Sequence, residues 1–193
     1  MEKLTKTARV LDVIAKVLFW VILIAGVVAL AAVVAGLFGL TDRYELFSVG
    51  TSVHVYGLWA DLPEPVSGGN SRVLLALIGV LLVLMVGVSL YSVRVIRSIL
   101  SPMKEGKPFE HSVSGDLKKL GCLSLVVGVA QPVIQAVAQH IAIRALPMEG
   151  YGVEVMQEHV FDATYLIIAL ALFMFSYIFR YGEELQRQAD ETL

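Results

Sequence analysis

Between Leu120 and Ile143 the chain carries no Asp, Glu, Lys or Arg, yet it places Ser124, Gln131, Gln135 and Gln139 in an otherwise apolar run. At about 100° per residue these four, with Gly121 and Gly128, fall within an arc of roughly 80° on one helix face. A hydroxyl and three amides offer hydrogen bonds. In hydrocarbon an unsatisfied polar group costs several kcal/mol, so the stripe needs partners. Two uses stay open: bonds between helices, worth on average about 0.6 kcal/mol each, or a polar cleft for a small ligand or lipid headgroup. Pro132 frees a carbonyl one turn earlier, near Gly128, and can kink the helix there.

Other chemistry finds little support. His54, His140 and His159 fall in or beside segments that also hold Glu154 and Glu158. Zinc needs three or four converging ligands, and nothing spaces these residues as a motif; no metal is assigned. Histidines on one side of a membrane could instead sense pH, a weaker alternative that His111, on the opposite side, cannot join. There is no nucleophile motif, phosphate-binding glycine loop or cofactor signature. The expectation is a protein that is not an enzyme and takes no cofactor.

The elements that position these residues follow from hydropathy. The 193 residues are 57% hydrophobic and 17% charged, with a mean hydropathy of +0.76. A soluble domain sits nearer 45–50% apolar and about 25% charged, so the excess calls for a lipid solvent. Four runs lack charge: 17–40, 73–93, 120–143 and 163–179. The first, at 1.5 Å per residue, spans about 36 Å and crosses a hydrocarbon core of about 30 Å with some tilt. It is too long for a signal-peptide core and Leu40-Thr41-Asp42 offers no cleavage site, so it is read as retained. The fold class is an all-α membrane protein, a single four-transmembrane-helix bundle over 1–193. No span carries an Asp, Glu, Lys or Arg, which argues against proton-coupled transport.

Residues 1–16 place Leu4, Ala8, Leu11 and Ala15 at helical spacing, and Asp12 with Lys16 at i, i+4. They suit a short amphipathic helix at the headgroup level. Ala25, Ala29, Ala32, Gly36 and Gly39 line up as a groove for a neighbouring helix. Cys122 is the only cysteine, so no intramolecular disulfide is possible. A net charge of −2 does not suggest a direct nucleic-acid partner.

Four spans put both termini on one side. Twelve of the fifteen Lys and Arg lie within 1–16, 94–119 and 180–187, leaving Arg43, Arg72 and Arg144. By the positive-inside rule the termini, the 94–119 loop and the 180–193 tail are cytoplasmic, and loops 41–72 and 144–162 face outward. In the outer loops, Val49–Val55 alternates as a strand does, and Gly152–Met156 could pair with it in a small cap. In the inner loop Pro102 closes the second helix, Gly106-Lys-Pro-Phe109 turns, and Ser112 or Ser114 caps the third. Phe109 either enters the bilayer interface or docks on the bundle.

Glu105-Gly-Lys-Pro-Phe109, the Leu117-Lys-Lys-Leu-Gly121 helix start and Phe179-Arg-Tyr-Gly-Glu-Glu-Leu-Gln186 carry a resemblance. With the four-span layout, they make nearly the whole chain similar to a bacterial membrane family called domain of unknown function 2975. Many relatives end in an aspartate followed directly by a hydrophobic residue; here Glu191 intervenes after Asp190. The resemblance implies a small multi-pass protein without an established activity, often encoded beside a helix-turn-helix regulator of the Cro-repressor type. It directs attention to Gly106, Pro108, Phe109, Glu184 and Leu185 as a cytoplasmic contact surface. The leading expectation is a sensor or regulator of the cell membrane that couples an outer cap to a cytoplasmic partner. A lipid- or ligand-binding carrier using the glutamine stripe is the alternative, and immunity against membrane-active peptides a weaker one. Beyond the lipid bilayer and that partner, the composition also allows a homo-oligomer.

Overall fold

The computed structural model describes residues 2–38, 52–55, 58–61, 69–106, 109–145, 154–155 and 163–191. Four long helices dominate: α1 (Glu2–Leu37), α2 (Gly69–Lys104), α3 (His111–Ala145) and α4 (Ala163–Glu191). Each contains a stretch long and apolar enough to cross a membrane. Each also outruns its uncharged core. At 1.5 Å per residue the 36 residues of α1 extend about 54 Å. Residues 2–16 are therefore the first four turns of α1 and not a separate lead-in helix.

Pro102 does not close α2, which runs on to Lys104. A proline in the last turn forfeits one backbone bond and leaves the next residues free to stay helical. The stop comes at Gly106, whose φ of 79° is the left-handed conformation glycine adopts cheaply. There Glu105 N–H donates to the Pro102 carbonyl at 3.1 Å and Gly106 N–H to that of Met103 at 3.3 Å. The third helix starts earlier than a serine cap would allow. It begins at His111, the Glu110 carbonyl accepts from Val113 N–H at 2.9 Å, and Ser114 Oγ donates back to the His111 carbonyl.

By contacts the chain divides into two compact units. The first comprises residues 1–23, 87–129 and 162–193. Its α2 and α3 segments meet through Val95, Ile99 and Val113, with Met103, Leu117, Leu120 and Phe179 packed around them. Its α3 and α4 segments approach closely. A Cβ on Gly121 would lie 2.8 Å from the Phe173 ring, and one on Gly128 2.6 Å from Tyr165 Cβ. Only glycine fits such an approach.

The second unit comprises residues 24–86 and 130–161. Here the close contact on α1 is at Gly26, where a Cβ would lie 2.9 Å from both Val86 methyls. Gly26 and Val33 are buried, Ala29, Ala32 and Gly36 of the expected groove are half-buried and Ala25 is exposed, while Gly39 lies outside the described residues. This unit also holds three short strands, β1 (Ser52–Val55), β2 (Leu58–Asp61) and β3 (Glu154–Val155), antiparallel in the order β1-β2-β3. Glu154–Val155 pairs with β2 and not, as expected, with the Val49–Val55 segment. The hairpin partner 58–61, which does not alternate cleanly, takes the position beside β1.

Candidate functional site

The described polar chemistry concentrates in the first unit, on the helical turns beyond the uncharged runs. Asp12 on α1 is 5% exposed and lies between the buried Ala8 and Ala15. These positions are four and three residues apart, so one narrow face carries all three. Small neighbours let α2 come near, and its cations close on the carboxylate. Lys104 Nζ donates to Asp12 Oδ2 at 2.9 Å, and Arg97 Nε to Oδ1 at 3.4 Å. Lys16, one turn along α1, lies 3.4 Å from Oδ2. Arg97 and Lys104 are seven residues apart, two turns on one face of α2.

A second polar group ties α3 to α4. Ser176 Oγ donates to the Ser114 carbonyl at 2.7 Å. Asp116, also buried, accepts from Lys119 Nζ at 2.6 Å. Asp116 thus serves an ion pair inside α3.

The turn before α3 is fastened to the end of α4. Phe109 packs on Phe179 with ring centroids 5.7 Å apart and planes tilted by 45°. A Cβ on Gly182 would lie 2.6 Å from Phe109 Cδ1 and Cε1, so the ring fills a notch that this glycine leaves. His111 Nδ1 lies 3.2 Å from a Glu183 carboxylate oxygen. Of the two fates open to Phe109, the structure gives docking on the bundle.

Among the expected contact residues, Gly106 ends α2, Phe109 packs on α4, and Pro108 lies outside the described residues. Glu184 pairs with Arg187 at 2.8 Å, and Leu185 is exposed next to it. Phe109 and His111, far in sequence from Phe179, Gly182 and Glu183, meet them here. The glutamine stripe divides. Ser124 Oγ donates to the Tyr165 carbonyl at 2.9 Å, so this hydroxyl bonds helix to helix. Gln139 is buried, Gln131 and Gln135 are half-buried, and all three belong to the second unit.

The candidate metal residues are not assembled in what is described. His159 and Glu158 lie outside the described residues. The backbone register sets Trp59 opposite both His54 and Glu154, one strand from each. His140 is exposed on α3. Among the described residues no three His, Cys, Asp or Glu could hold a metal ion.

Sequence reasoning found Asp12 only as a partner of Lys16. Its pairing with Arg97 and Lys104 spans 85 and 92 residues. The available signal was local: an acid between two alanines on one face, and two cations at a two-turn spacing. No family model, curated protein or solved structure matches the chain.

Proposed function

We propose that the chain is a multi-pass protein of the cell membrane, with both termini cytoplasmic, that regulates a soluble partner and catalyses no reaction. Four helices of sufficient length and apolarity support the membrane placement. So do the large apolar side chains left outward along them, among them Trp20, Val28, Ile167 and Leu170. Such continuous apolar faces are stable only against lipid or protein. The concentration of basic residues at the termini and in 94–119 supports the orientation.

One observation carries the regulatory reading: Phe109 seated on Phe179 in the Gly182 notch, with His111 beside Glu183. It brings Phe109 of the loop onto the tail, the two segments that carry the family resemblance, and Tyr181 and Leu185 of that tail stay exposed. Exposed aromatic and aliphatic groups beside Glu184 and Arg187 are what a protein partner can bury. A helix-turn-helix regulator is the partner class that the resemblance implies. Affinity capture of the full chain from solubilised membranes, with and without residues 105–109, tests this. The deletion should remove a specific cytoplasmic protein; an unchanged set of captured proteins would refute the reading.

A further inference from the structure

The ring around Asp12 holds more positive charge than its acid can neutralise. Lys16, Arg97 and Lys104 face one carboxylate, and among the described residues no second carboxylate pairs with any of the three. Three positive charges against one leave an excess of two. Their side chains remain 52%, 37% and 28% exposed respectively, so solvent or a ligand reaches them. An arginine carries five N–H donors and a lysine three, and the hydrogen bonds to Asp12 take up two of these roughly eleven, one from Arg97 and one from Lys104.

The depth of the ring is set by its distance from the uncharged runs. Asp12 precedes Val17 by five residues and Arg97 follows Val93 by four. On helices these are about 7.5 Å and 6 Å beyond the apolar boundary, the level of lipid headgroups. Lys104 is farther out, but helical side chains tilt toward the N-terminus, which on α2 is back toward the apolar run. Its 2.9 Å bond to Asp12 is the result.

We propose that this ring binds the phosphodiester of an anionic phospholipid, with Asp12 holding the three cations in a fixed array. A buried carboxylate pins Arg97 and Lys104 against α1, and the phosphate oxygens take the remaining N–H groups from the lipid side. Basic pockets between helices at this level suit anionic headgroups, and a guanidinium matches phosphate with two parallel bonds. The assignment rests on the membrane placement proposed above.

The test uses the full chain in lipid nanodiscs made of equal parts phosphatidylglycerol and phosphatidylcholine, with retained lipids counted by native mass spectrometry. The natural chain should retain phosphatidylglycerol over phosphatidylcholine by about tenfold. Lys16→Gln and Arg97→Gln should each cut that preference several-fold, and Arg97→Lys should restore part of it. Lys16 is half-exposed, so its variant keeps the test alive if Arg97→Gln fails to fold. Equal retention of the two lipids by the folded natural chain, or no change in the variants, would overturn the site alone. Inorganic phosphate at matched ionic strength should not displace the lipid; mole-for-mole displacement would overturn the assignment to lipid. A chain that stays soluble and will not enter discs would overturn both this site and the membrane placement.

Discussion

A buried carboxylate is tolerated only when its charge is met, and Asp12 shows how locally that can be arranged. Its three cations come from its own helix one turn on and from two turns of α2. Surface ion pairs are worth little because water screens them and long side chains lose freedom. Asp12 differs in being nearly inaccessible, while its partners keep their heads partly in solvent. The asymmetry sets the expected effects of mutation. Asp12→Ala leaves Arg97 and Lys104 crowded at one place without their acceptor, and should cost about 1–3 kcal/mol in unfolding free energy. Lys16→Ala removes one half-exposed partner among three and should cost well under 1 kcal/mol. Reversible unfolding in mixed detergent micelles measures both. A loss for Lys16→Ala as large as that for Asp12→Ala would mean that the carboxylate is not the centre of the cluster.

At the scale of elements, the fastening of the pre-α3 turn to α4 invites a direct check. Gly182→Ala adds one methyl where Phe109 already lies, at 2.6 Å from two ring carbons. The ring must leave. The helix itself gains, since alanine is favoured over glycine by about 1 kcal/mol in a helix interior. Global stability should therefore stay nearly level while the turn is released. Hydrogen exchange at residues 109–113 should quicken at least several-fold with exchange elsewhere in α2 and α4 unchanged. Unaltered exchange there would mean that Phe109 does not hold the turn.

The same elements show what a sequence can and cannot disclose. Uncharged runs are local composition, and each of the four became a helix of at least 29 residues. Helix ends depend on single residues, and Pro102 misleads because the left-handed Gly106 is the actual terminator. Ser124 was visible as a polar residue on a packing face; that its hydroxyl reaches the Tyr165 carbonyl was not, because helix-to-helix distance depends on Gly121 and Gly128 together. The partner of β3 is a matter of long-range register, to which an alternating pattern in five residues is blind.

For the molecule as a whole, charge distribution carries the orientation argument, and it makes a prediction that composition alone does not. Twelve basic residues lie in the segments assigned to the cytoplasm and three outside them. The bias counts basic residues in short loops near the spans, as these are. Cys122 is free and exposed, so it must be replaced by alanine before any labelling. A single cysteine at Lys107 in that background should then react with a membrane-impermeant maleimide only after the cytoplasmic side is opened, and one at Arg43 from the outside in intact cells. Reversing the bias supplies the sharper arm. Changing Lys3, Lys6, Arg9 and Lys16 to Gln while adding lysines near Arg43 should redistribute the labelling of position 107 toward the outside, because the first span usually dominates orientation. Labelling of position 107 from the outside in the otherwise natural chain would invert the assignment. It would move the Phe109–Phe179 surface away from any cytoplasmic regulator and leave the proposed partner without access.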